Sequence, residues 1–66
     1  MMEYKIIESI RLYSTKHDYI KYLGLSEKVQ LELNFGWETA GGPFTRVENN
    51  IMYYCQALIR KGKNDD

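Results

Sequence analysis

The chain has 66 residues, nine basic and nine acidic side chains and no net charge, which allows one domain and removes the positive field that gathers nucleic-acid polymers. No apolar run approaches the ~20 residues that span a bilayer, and no signal-peptide pattern opens the chain, so a cytoplasmic protein without membrane contact is expected. One cysteine and one histidine exclude an intrachain disulfide and leave a Cys/His zinc site short of ligands, so no metal and no cofactor is expected. A lone core of this size supplies about 3–5 kcal/mol, which makes self-association the expected source of further stability.

Residues 3–10 read as a first strand, with Tyr4, Ile6, Glu8 and Ile10 on one face and Lys5, Ile7, Ser9 and Arg11 on the other. Ser14 or Thr15 is a candidate N-cap, with Asp18 in the first turn and Tyr19, Tyr22 and Leu23 as a helical stripe that Gly24 interrupts. Residues 26–35 fit two periods. Val29, Leu31, Leu33 and Phe35 alternate as in a strand, yet Leu25, Val29 and Leu33 also form an i, i+4 ladder. Ser26 before, Gly36 after and a run of good helix formers between them favour a helix. Leu31 and Phe35 then point away from its apolar stripe.

Gly36 and Trp37 mark the handover from helix to strand, because glycine takes the positive φ that ends a helix at little cost. Residues 37–48 read as a second strand bent at Gly41-Gly42, and Asn49-Asn50 as a tight turn. Residues 51–60 form the clearest strand, showing Ile51, Tyr53, Cys55, Ala57 and Ile59 on one face and Met52, Tyr54, Gln56, Leu58 and Arg60 on the other. Small Cys55 and Ala57 suggest that the helix packs on their side, leaving Tyr54, Gln56 and Leu58 as an open row and the expected subunit interface. The order β-α-β-β gives an α+β fold: a three-stranded, mostly antiparallel sheet, the last strand central and the helix on one face. Residues 1–61 form the domain and residues 62–66 a charged tail.

The segments Tyr4-Lys5-Ile6-Ile7, Gly36-Trp37, Gly41-Gly42-Pro43-Phe44 and Tyr53-Tyr54-Cys55-Gln56-Ala57-Leu58 together resemble a small family found in bacterial and phage genomes. It is known as domain of unknown function 1737, and the likeness spans about residues 3–61. Cys55 splits the family's Tyr-Gln pair, and residues 10–25 are longer than its pattern. The resemblance implies a fold and carries no established chemistry.

No residue set points to catalysis. His17 has no partner specified in sequence and reads as a solvated surface group, and Cys55 reads as a buried thiol. Gly41-Gly42 is followed by Pro43 and a strand, whereas phosphate loops open a helix. The expected function is therefore a non-catalytic small oligomer, most simply a homodimer, that binds an anionic nucleotide-like molecule between subunits. A phage-encoded sponge for a nucleotide-derived defence signal fits that size and chemistry by analogy. Its expected ligand residues are Arg46 and Arg60 as anion grips, Phe44 and Tyr54 as stacking surfaces, and Gly41 and Gly42 where a ligand comes close to backbone. The alternative is a protein–protein interaction module, such as a phage inhibitor of a host enzyme.

Overall fold

The computed structural model describes residues 1–14 and 23–62. Its elements are β1 (Met2–Ser9), α1 (Leu25–Leu33), β2 (Glu38–Thr39), β3 (Phe44–Glu48) and β4 (Ile51–Lys61). The stripe expected at Tyr19 and Tyr22, His17 beside it, and residues 63–66 of the tail lie outside the described residues.

The fold is α+β, with α1 laid on one face of an antiparallel sheet. β4 is the central strand, as the β-α-β-β order leads one to expect. It pairs with β1 along one edge, from Met2 opposite Lys61 to Ser9 opposite Tyr54, and with β2 and β3 along the other. The sheet has four strands instead of three because the expected second strand breaks at its glycines. Four residues, 40–43, stand opposite two, Gln56 and Ala57. An insertion of two keeps the alternation in phase, so Thr39 and Thr45 stay on the same face; a single extra residue would have flipped β3. Gly41 takes φ +80° in this bulge, and the Gln56 amide fills the gap by donating to the carbonyls of Gly41 and Ala57, each at 3.0 Å. The turn at Asn49-Asn50 has positive φ at both residues, as their type leads one to expect.

The helical reading of residues 25–33 holds over the strand-like alternation. Ser26, however, is not the N-cap; Gly24 occupies that position in an extended conformation without a side-chain cap. The orphan N–H groups of the first turn find other partners: Leu25 donates to the Arg11 carbonyl and Ser26 to that of Leu12, both at 3.0 Å. Glu27 in the same turn accepts from the Ser14 amide and, at 2.6 Å, from its hydroxyl. At the other end the Trp37 N–H donates to the Glu32 carbonyl and the Gly36 N–H to that of Leu33, with Gly36 at φ +89°. This is a Schellman closure, and it requires the glycine.

The helix covers the face opposite to the one expected. α1 packs over Lys5, Gln56 and Leu58, not over Cys55 and Ala57. Lys5 forms an ion pair with Glu32 of α1, and the Lys28 ammonium donates to the Glu8 carbonyl at 2.8 Å. Between these tethers Leu58 is fully buried, with Leu25 and Trp37 close to it in burial. The reason is charge complementarity. The β1 face carrying Glu3, Lys5 and Ser9 looks polar in sequence, and each of the two charges is matched, by Arg60 and by Glu32. Leu31 and Phe35 do point outward, and both are exposed.

Candidate functional site

Arg46 and Arg60, the two expected anion grips, lie on opposite faces of the sheet. Arg46 pairs in register with Tyr53, seven positions from Arg60 along β4, or roughly 23 Å at the rise of an extended strand. The two guanidinium groups of one chain therefore do not converge. Each is also occupied by its own chain. Arg60 forms a two-pronged pair with Glu3, Nε to Oε1 at 3.1 Å and Nη2 to Oε2 at 3.2 Å, and its Nη1 donates to the Phe35 carbonyl at 3.2 Å. It thereby ties β4 to β1 and to the end of α1. Arg46 forms a second two-pronged pair, donating to both Glu8 carboxylate oxygens, and its Cζ lies 4.3 Å from the Tyr53 ring centroid.

The Arg46–Glu8 pair bridges β3 and β1 across β4. It roofs Cys55, which explains why a side chain on the helix-free face has no exposure at all. The Cys55 thiol donates to Glu8 Oε2 at 3.5 Å. Hydrogen bonding to Arg46 holds the Glu8 carboxyl below its ordinary value, and Glu8 in turn raises the Arg46 value. Burial, then the Glu8 carboxylate, pushes the thiol up, away from the reactive thiolate. Arg60 is raised likewise by its bond to Glu3.

The expected interface row is corrected by the position of the helix. Leu58 is fully buried and Gln56 nearly so, both inside the protomer, and Tyr54 stands half-buried on the same helix-covered face. Gly41 and Gly42 belong to the bulge that Gln56 fills, with the Gly41 carbonyl turned to that amide. Phe44, by contrast, stands on the open face, where it pairs with Cys55.

That open face is the feature the sequence reading missed. Met2, Tyr4 and Ile6 of β1, Ala57 and Ile59 of β4 and Phe44 of β3 share it by register. Tyr4 is 64% exposed, Met2 59%, Ile6 45% and Phe44 42%, so four large apolar groups on the two strands that flank β4 face solvent on one side of the sheet. The available signal was on β1: its even positions are apolar up to Glu8, and its odd positions hold two charges, Lys5 with a partner on the helix in Glu32 and Glu3 with one on β4 in Arg60.

A cleft of about 320 Å³ lies where β1 leaves the sheet beside the start of α1, with Glu8, Arg11, Lys28 and Tyr53 in its wall. A smaller one of about 280 Å³ is lined by Gly36, Glu38 and Arg60 among others. Of the six expected ligand residues only Arg60 borders either cleft. Among the described residues no three His, Cys, Asp or Glu side chains come together as a metal set, and no helix is long and apolar enough to cross a membrane. No family model, no curated protein and no solved structure matches the chain.

Proposed function

We propose that this is a non-catalytic binding protein that acts by contact with another protein chain, through the sheet face that α1 leaves open. The observation that carries the reading is the exposure of Met2, Tyr4 and Ile6 on β1 and of Phe44 on β3, the strands that flank β4, on one face of the sheet. Monomeric soluble proteins rarely present a contiguous apolar patch beyond a few hundred Å², and patches of that kind mark contact sites. The arginines favour a protein partner over a small anion. An incoming phosphate at Arg46 or Arg60 has to displace a carboxylate that already holds the guanidinium with two hydrogen bonds. A single thiol, buried and held in its protonated form, suits the reducing cytoplasm.

The test compares wild type with Ile6→Glu in two assays. In the first, bound protein, further copies of this chain included, is identified by mass after affinity capture from a lysate of the source cells. In the second, the melting temperature is followed against a panel of nucleotides. The expected result is capture that depends on Ile6 and a melting temperature that no nucleotide moves. A nucleotide that stabilises wild type and Ile6→Glu alike, with no face-dependent capture, overturns the reading.

A further inference from the structure

We infer that the open sheet face packs against the same face of a second copy of this chain, giving a symmetric dimer of two facing sheets with the helices outside. The inference rests on the reading of this face as a protein-contact surface and names its occupant.

Four observations point to a second copy. The first is the arrangement of charge. The middle of the face, Tyr4, Ile6, Phe44, Ala57 and Ile59, is apolar, and the charged groups sit around it: Glu8, Arg46 and Glu48 towards one end, Lys61 at the other, and Glu38 on the short strand β2 beside Ile59. Glu8 and Arg46 neutralise each other, and Arg46 also lies 3.4 Å from Glu48. An apolar centre with a polar rim is how protein interfaces are built, and this centre offers no charge by which a differently charged partner would be chosen. The second is net charge. The chain has none, so two copies approach without repulsion.

The third is shape. Small Ala57 forms a short trough on β4 between Tyr4 and Ile6 on one side and Phe44 on the other, while the Arg46–Glu8 pair closes over Cys55 beside it. A trough flanked by large side chains accepts the flanks of an identical copy, the self-complementarity that a two-fold axis requires. The fourth is area. At ~3.3 Å per residue and ~4.8 Å between strands the apolar part measures roughly 20 by 15 Å in plan. With side-chain relief that is about 500 Å² of accessible surface per copy, so a pair buries about 1,000 Å², the threshold for a specific interface. The need matches the supply: among the described residues the buried apolar groups are Leu25, Trp37, Cys55, Ala57 and Leu58, a thin core for a folded domain.

A second copy has one other route, strand addition along the outer edge of β1. The Gly62 N–H donates to the Met1 carbonyl, which sets the phase of the ladder: odd residues of β1 turn their backbone groups to β4, and Tyr4 and Ile6 turn theirs to the edge. The Lys28 ammonium already covers the Glu8 carbonyl on that edge. Edge pairing leaves the apolar face in water, so face packing is the arrangement inferred.

Sedimentation velocity over a wide concentration range, with hydrogen exchange at high and low protein concentration, tests it. The expected result is a dimer for wild type and for Val47→Glu, whose side chain is 66% exposed and lies away from this face. Tyr4→Glu and Ile6→Glu, folded by circular dichroism, should self-associate at least about a hundredfold more weakly. The Tyr4 and Ile6 amides should exchange equally fast at both concentrations. A wild type that stays monomeric at the highest concentration overturns the inference whether or not the variants fold. So does a dimer that survives both substitutions, or one in which those two amides become protected. A monomer whose face still captures a different protein, in an Ile6-dependent way, ends the dimer and leaves the contact reading standing.

Discussion

Replacing Trp37 tests how the helix is held on the sheet. The side chain is 8% exposed, and it is the only tryptophan. Two cations from the sheet lie against its ring, Lys5 Nζ at 4.2 Å and Arg60 Cζ at 4.4 Å from the centroid. Both cations are themselves paired, Lys5 with Glu32 and Arg60 with Glu3, so the indole joins two ion pairs that connect α1, β1 and β4. Truncating a buried Trp to Ala costs about 3–5 kcal/mol. A domain of this size has a total stability of roughly 3–10 kcal/mol, at ~0.05–0.15 kcal/mol per residue. Trp37→Ala should therefore be largely unfolded, or fold only with osmolyte. Trp37→Leu keeps much of the apolar contact and loses both cation–π contacts, each about 0.5–1 kcal/mol at partly exposed sites, for a deficit of about 1–2 kcal/mol. Urea unfolding followed by circular dichroism measures both, since the substitution removes the fluorescent reporter. The order wild type, Leu, Ala is expected. A Trp37→Ala protein with the wild-type midpoint would refute the argument, and a Trp37→Leu protein equal to wild type would remove its cation–π part.

Gly24→Ala should lower the melting temperature, because a Cβ there lies 2.5 Å from the backbone of Tyr13; overpacking of this kind costs about 1–3 kcal/mol, and an unchanged melting temperature would mean the segment gives way freely. Acid should destabilise the protein through Glu8 and Glu27. Hydrogen bonds hold both carboxyls below the ordinary 4.5 in the folded state, from Arg46 to Glu8 and from the Ser14 side chain to Glu27. The unfolded chain then takes up protons first, so their contribution is complete above that value and is lost as pH falls through the lower folded ones. Melting temperatures from about pH 6 to about pH 3 should fall, and less steeply for Glu8→Gln; equal slopes for the two proteins would show that the Arg46 pair does not contribute.

Local chemistry was legible in the sequence wherever a few neighbouring residues decide the outcome. Gly36 ends α1 because the Schellman closure needs positive φ, and Asn49-Asn50 turns the hairpin because asparagine tolerates it. Residues 25–33 are helical despite their alternation, since helix formers ending at a glycine outweigh a period of two that no paired strand completes. The central place of β4 follows from the β-α-β-β order, in which a hairpin pairs it with β3 and the crossover through α1 leaves β1 on its other edge.

Which face the helix covers was not legible. Alternation separates a strand's residues into two sets and gives no sign of which set is buried when both are partly apolar. The choice is made by contacts between residues far apart in sequence: Lys5 with Glu32, Arg60 with Glu3, Lys28 with the Glu8 carbonyl. The same holds for Gln56, which looked like a surface residue and is the plug of a bulge, and for Gly24, whose missing Cβ lets α1 start against Tyr13. Sequence determined the elements because φ, ψ and turn chemistry are local. Tertiary structure alone decided the faces, because Lys5 pairs with Glu32 of the helix and Leu58 is buried with Leu25 and Trp37 on that side, which leaves the apolar set of β1 open.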